Sequence, residues 1–253
     1  MMNVIIITQA RIGSTRLSGK ILKRINGQSL LEIHLSRLKK SKLATKIIVA
    51  TTFEPGVEQI IEIGKKMAVD VFQGATDDVL DRFYQSVKKF APNYIVRVTS
   101  DCPLIDPELV DKVIEMAKTK NLDYASNGLK ELYPDGQDVE VFSFIALKKA
   151  WEEAKLPSDR EHVTPYIRKH TDFGGGDLFK AQNLDCEKNY NQIRMTVDET
   201  DDFEAIETLI NELGSNETWQ TYTQYILEHS DKFKNQSIYR NEGYLKSLQK
   251  DNL

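Results

Sequence analysis

Val4-Ile5-Ile6-Ile7-Thr8, followed at once by Gln9-Ala10-Arg11-Ile12-Gly13-Ser14-Thr15-Arg16-Leu17-Ser18-Gly19-Lys20, is the stretch on which the fold turns. An apolar, β-branched run without alternation reads as a strand buried on both faces, the habit of parallel sheets. The loop that leaves it carries two glycines, the hydroxyls of Ser14 and Thr15, and the cations Arg11, Arg16 and Lys20. No Asp or Glu precedes Glu32, so the first thirty-one residues hold five Lys or Arg in a chain of net charge −4. Solvated loops mix signs; one this cationic points to an anion. Gly13 and Gly19 let the backbone come close to it. Turn amides with Ser14 and Thr15 supply donors for phosphate oxygens. Arg11 and Arg16 offer bidentate forks, and Lys20 a mobile point charge. A P-loop is the obvious rival and it fails twice: five residues separate the glycines where four belong, and Ile21 replaces the magnesium-binding Ser or Thr.

Outward from this stretch, strand and helix patterns alternate, which predicts an α/β chain with a mainly parallel sheet covered on both faces. Strands are expected at Val4–Thr8, Lys46–Thr51, Val69–Phe72, Tyr94–Val98, Tyr124–Ser126, Val139–Phe142, Leu178–Ala181 and Ile193–Val197. Helical periodicity covers Leu30–Lys39, Val57–Met67, Asp78–Phe90, Pro107–Lys118, Ala146–Ala154, Glu161–His170, Asp202–Leu213 and Thr221–Glu228. At 253 residues the chain is long enough for one such domain. The sequence pI near 5.7 argues against nucleic acid as a partner. Cys102 and Cys186 form neither a disulfide framework nor a metal spacing, and no apolar run reaches membrane-spanning length. A cytoplasmic protein is the expectation.

Ligands of such sheets bind beyond the carboxyl ends of the strands, so the loops there hold the candidate residues. After Tyr94–Val98 comes Ser100-Asp101-Cys102-Pro103-Leu104-Ile105-Asp106-Pro107. Asp106 reads as a helix N-cap before Pro107, whereas Asp101 has no such duty and is assigned to a metal. After Ile193–Val197, five acids fall between Asp198 and Glu204. The later ones suit a helix N-terminus; Asp198, nearest the strand, is the second metal candidate. Paired carboxylates completed by phosphates and water suit Mg²⁺. In Gln73-Gly74-Ala75-Thr76-Asp77-Asp78, Thr76 or Asp77 is the expected N-cap, and the turn around Gly74 and Asp77 is placed against a nucleobase or ribose. Asp138 and Glu140, two apart before an apolar strand, would share a face. With Gln137, and with Arg160, Glu161 and His162 at a helix start, they outline a pocket for a hydroxylated acid.

The residues 10–20 resemble the opening signature of the cytidylyltransferases that make CMP-activated 3-deoxy-ulosonic acids, the CMP-Kdo and CMP-acylneuraminate synthetases. The spore-coat polysaccharide branch of that superfamily is nearer still. Its pattern is matched by Gln9-Ala10-Arg11, Asp77-Asp78-Val79-Leu80-Asp81-Arg82-Phe83, Arg97-Val98-Thr99-Ser100-Asp101-Cys102-Pro103, Asp135-Gly136-Gln137-Asp138-Val139-Glu140, Arg160-Glu161-His162-Val163-Thr164-Pro165 and Arg240-Asn241-Glu242-Gly243-Tyr244. Ser18 departs from it, standing where a proline is usual. The resemblance implies a nucleotide-diphospho-sugar transferase (GT-A-like, Rossmann-related) fold and a homodimer; the polar, weakly periodic end of the chain sets residues 215–253, read as a helix and tail packed on the domain or on a partner subunit, apart from a domain over residues 1–214. It implies CTP and an acidic sugar as substrates. Arg11, Ser14, Arg16 and Lys20 would hold the triphosphate, and Asp101 and Asp198 would match the Mg²⁺ positions. The alternatives are a glycosyltransferase on the same fold and a non-catalytic nucleotide-binding subunit. The first needs no cationic loop, and the second needs no metal acids.

Overall fold

The computed structural model describes residues 2–13, 16–238, 240, 248 and 251. Strand β1 (Val4–Gln9) lies at its centre, and Val4 to Ile7 are buried on both faces. A short hairpin of β2 (Arg24–Ile25) and β3 (Gln28–Ser29) then leads into α1 (Leu30–Leu38). The chain alternates through β4 (Lys46–Thr51), α2 (Glu58–Lys66), β5 (Asp70–Gln73), α3 (Val79–Val87), β6 (Tyr94–Thr99) and α4 (Pro107–Thr119). There follow β7 (Tyr124–Ser126), β8 (Glu140–Ser143), α5 (Phe144–Glu153), α6 (Pro157–His162), α7 (Pro165–Lys169), β9 (Ala181–Asn183), α8 (Thr200–Leu213) and α9 (Trp219–Glu228). Among the described residues the main sheet has seven strands in the order β5-β4-β1-β6-β8-β7-β9. Only β8 runs antiparallel to its neighbours, so the sheet is mixed but mostly parallel.

Side-chain alternation sorts the core into two layers. Ile5 and Ile7 of β1 meet Leu80 and Phe83 of α3 and Ala146 of α5. Val4 and Ile6 face Val110, Val113 and Ile114 of α4. Local chemistry starts the helices where it should. Ser29 and Glu32 form a reciprocal capping box at α1, and Asp106 accepts the Glu108 and Leu109 amides with Pro107 at the first helical position. Among the described residues no helix is long and apolar enough to cross a membrane.

Several expectations are corrected. The helix foreseen over Glu161–His170 is two, α6 and α7, because Pro165 has no amide to donate and its ring opposes the preceding turn. Val163 sits between them at φ 71°, a costly place for a β-branched residue. The last strand begins at Ala181 rather than Leu178, after the run Gly174-Gly175-Gly176. Ile193–Val197 is not a strand. Its side chains are buried against α8 and α9, yet its backbone makes an isolated bridge to Asp135, through the Ile193 carbonyl and the Met195 amide, and one bond from the Val197 amide to Asp101. Asp78, not Thr76 or Asp77, caps α3. The hairpin turn is Asn26-Gly27, both at positive φ.

The C-terminal part packs on the rest of the chain. Trp219 joins the α4 core layer and Tyr222 and Ile226 join the α8 cluster. Asn235 and Gln236 bond the backbone of Arg194, and Asp251 accepts the amide and hydroxyl of Ser158 at the start of α6.

Candidate active site

Strands β1, β4 and β6 end on one edge of the sheet, and the loops leaving β1 and β6 converge there. After Gly19, in the left-handed region at φ 62°, a single 3₁₀ turn (Lys20–Leu22) aims Lys20 back at the sheet. Its Nζ donates to Asp101 Oδ2, Asp198 Oδ1 and the Val197 carbonyl, each at 2.8 Å. Asp198 reaches this point because the Val197 amide donates to the Asp101 carbonyl at 2.8 Å, pinning the 193–197 segment beside the β6 loop. Arg16 Nη2 lies 3.0 Å from Asp198 Oδ2. Residues separated by some 180 positions thus share one cluster. Burial works against the Lys20 charge, but Asp101 and Asp198 outweigh it and raise its pKa. Burial likewise disfavours ionised Asp101, and Lys20 reverses this, holding the carboxyl at about 2.

The cluster floors a cleft of about 660 Å³. Of the residues singled out from the sequence, Ala10, Arg11, Arg16, Lys20, Asp77, Asp101, Arg160, Glu161, His162 and Asp198 line it. Gln9, Thr99 and Arg82 join them. Burial and then the nearby Arg11 charge pull the Arg82 guanidinium down to about 10. Arg160 crosses to Asp78, with Nε at 2.8 Å and Nη2 at 2.7 Å from Oδ2, and donates to the Trp151 and Ala154 carbonyls. Ser14 lies outside the described residues.

Other candidates stand elsewhere. Gly13 is not among the lining residues, and its amide donates to Glu54. Gly74 is stacked on Arg82, where a Cβ would lie 2.9 Å from Arg82 Cγ. Gln137 is buried and braces the turn before α4, accepting the Asp106 amide at 2.9 Å and donating to the Leu104 carbonyl at 3.0 Å. Glu140 and Asp138 do not act as a pair. Glu140 is enclosed by Arg97, the Tyr124 hydroxyl and Thr164, while Asp138 pairs with Arg240.

Arg194 was missed from the sequence. It is 5 % exposed and reaches three acids: Asp202 at 2.8 Å, Asp135 at 2.7 Å and Asp198 at 3.1 Å. An arginine inside the buried run Ile193-Arg194-Met195 was the available signal, since a charge there must be paired.

Among the described residues no group of three or more His, Cys, Asp or Glu is placed to cage a metal ion. Asp101 and Asp198 already hold one cation, the Lys20 ammonium, between them. Two hard carboxylates in a cleft that Arg11, Arg16 and Lys20 also line are a donor set that fits Mg²⁺, which keeps waters and takes few protein ligands.

A family model described as cytidylyltransferase matches residues 5–241. The chain is 44 % identical over 204 residues to the uncharacterized protein MJ1063 of Methanocaldococcus jannaschii, covering 80 % of this chain and 81 % of that one. It is 32 % identical over 221 residues to the spore coat polysaccharide biosynthesis protein SpsF of Bacillus subtilis, covering 85 % and 89 %. A 3-deoxy-manno-octulosonate cytidylyltransferase of Geotalea daltonii is 31 % identical over 189 residues, 74 % of this chain and 73 % of the relative. Among solved structures, a cytidylyltransferase from Leptospira borgpetersenii superposes with a TM-score of 0.86 at 31 % identity, over 95 % of this chain and 100 % of that one.

Proposed function

This chain belongs to the cytidylyltransferase family, and we propose that it transfers CMP from CTP to a hydroxyl of an acidic sugar, with release of pyrophosphate, for a surface polysaccharide. The observation that carries this reading is Lys20 Nζ, 2.8 Å from both Asp101 and Asp198 at the floor of the cleft that Arg11 and Arg16 also line. The relatives support the substrate class: one is named for spore coat polysaccharide biosynthesis and another for 3-deoxy-manno-octulosonate.

The transfer breaks the bond between the α- and β-phosphates while the sugar hydroxyl attacks the α-phosphorus. Positioning and charge neutralisation supply most of the catalysis in such displacements. Arg11, Arg16 and Lys20 neutralise the triphosphate and the charge that builds on departing pyrophosphate. Asp101, its pKa held near 2 by Lys20, stays ionised at neutral pH and is a poor proton acceptor, so its contribution is electrostatic. Asp101 and Asp198 would hold Mg²⁺, which when bound withdraws charge from phosphate oxygens. Asp77, which lines the cleft, is assigned to the nucleoside. Glu161 and His162, presented to the cleft by α6 with Arg160 fixed on Asp78, are assigned to the acceptor sugar.

The test is a pyrophosphate-release screen crossing the four common nucleoside triphosphates with a panel of octulosonic, nonulosonic and hexuronic acids. Release is expected with CTP and an acidic sugar. Release driven equally by neutral sugars, or by ATP in place of CTP, would reject the proposal.

A further inference from the structure

Glu54 lies in the turn after β4, across from the loop that leaves β1. Its Oε1 accepts the Ile12 amide at 2.6 Å and its Oε2 accepts the Gly13 amide at 3.1 Å. The same two segments meet again at Gly56, where a Cβ would lie 3.8 Å from both γ-carbons of Ile12. Neither Ile12 nor Gly13 lines the cleft, whereas Arg11 and Arg16 do. Two of the turn amides that the sequence suggests for phosphate, those of Ile12 and Gly13, are therefore already taken by a carboxylate of the chain itself. Gly13 has a matching reason to lack a side chain, since its Cβ would stand 2.7 Å from Glu54 Oε2.

We propose that Glu54 is the positioning residue of the nucleotide loop: by accepting both amides from outside the cleft, it holds the backbone so that Arg11 and Arg16 face the triphosphate. This rests on the CTP assignment above. Charge-assisted bonds to two consecutive amides are strong and directional. Without them the loop must be ordered when CTP arrives, and that cost is subtracted from binding. The opposite role is also chemically defined. A carboxylate on two amides could be a built-in competitor for a phosphate, and the two roles predict opposite signs.

CTP affinity measured by calorimetry without sugar, together with steady-state pyrophosphate release, separates them. Glu54→Ala is expected to weaken CTP binding about tenfold, with kcat at saturating CTP and the KM for the sugar close to wild type. Glu54→Gln keeps one accepting oxygen and recovers most of the affinity. Gly13→Ala, whose methyl displaces the carboxylate, reproduces the loss. Unchanged CTP affinity in a folded Glu54→Ala overturns the inference alone, and tighter binding overturns it in favour of the competitor. A wild-type protein that binds no CTP overturns this inference and the nucleotide assignment together.

Discussion

Replacing Lys20 by methionine keeps a stem of similar length and removes only the ammonium. Three acceptors lose their donor at once: Asp101, Asp198 and the Val197 carbonyl, each now 2.8 Å from Nζ. Two consequences can be sized separately. For the reaction, one preorganised charge directed at a developing oxyanion is worth about 3 kcal/mol, so kcat/KM should fall about a hundredfold or more. For the fold, stranding one side of a fully buried ion pair costs about 3–5 kcal/mol. Here the carboxylate side chains are 28 % and 22 % exposed, and solvent screening reduces that to about 1–2 kcal/mol. The variant should therefore fold and fail. Its acid limb carries a second signature. The Asp101 carboxyl is lowered by Lys20 from its ordinary 3.8 to about 2 in the native state. It therefore contributes stability above about 3.8 that is lost as pH falls toward 2. Lys20→Met should flatten that limb. Coupled pyrophosphate release at saturating CTP, with denaturant melts at pH 7 and pH 3, reads both effects. A folded Lys20→Met variant within tenfold of wild-type kcat/KM would refute the assignment.

His34 supplies a stability prediction away from the chemistry. It is fully buried between Thr8 Oγ1 at 2.9 Å and the Cys102 carbonyl at 2.8 Å, and burial lowers its pKa from 6.5 to about 4. Its stabilisation is complete above about pH 6.5 and declines by about 3 kcal/mol as pH falls toward 4, which urea melts on wild type and His34→Gln would measure as a slope present only in the former. Glu140→Gln leaves the Arg97 guanidinium without its counter-charge and should cost about 3–5 kcal/mol in denaturant melts. The acceptor KM should stay unchanged; a raised KM without lost stability would return Glu140 to the sugar pocket. Gly136→Ala forces a side chain into the left-handed region at φ 101°, with Cβ 2.7 Å from the Met195 carbonyl carbon. It should lose about 2–4 kcal/mol, because the opposing atoms are backbone and cannot rotate away.

What the sequence discloses is what depends on local pattern. The run Val4–Ile7 announces a central strand because both faces must be apolar, and Asp106-Pro107 announces a helix start because each residue does one local job there. Asp101 and Asp198 stand out for the converse reason, as acids just after buried apolar runs with no capping duty. Partners across the chain are another matter. An apolar run such as Ile193–Val197 reveals burial but not which backbone satisfies its amides, and here turn residues do so where a neighbouring strand was expected. Spacing places Asp138 and Glu140 on one face only if both belong to the strand. The strand begins at Glu140, so Asp138 is left to Arg240 in the preceding turn. Glu54 gives no signal, because its partners are two amides some forty residues away.

The acids at the floor of the cleft are never left to themselves. Asp198 takes Lys20 on one oxygen and Arg16 and Arg194 on the other. Arg194 in turn is shared with Asp135 and with the fully buried Asp202, and Asp135 lies 4.0 Å from Arg240. Asp135 registers the crowding: burial and the neighbouring Asp138 raise its carboxyl to about 6 despite both arginines. Such alternation is what allows several carboxylates to sit together without a bound ligand, since each buried charge needs a partner of opposite sign. It also explains why α8 and the segment after α9 belong to the site. Asp202 comes from the first turn of α8, and Asn235 donates to its Oδ1 at 3.0 Å. Gln236 accepts the Arg194 amide at 2.8 Å. The orientation of Asp198 is therefore fixed from behind by Arg194 and Asp202, which do not line the cleft, leaving Lys20 and Arg16 as the cations on its open side. That division of labour, with the buried Arg194 behind and the cleft-lining Lys20 and Arg16 in front, suits a carboxylate that on the proposed function exchanges partners when a nucleotide binds.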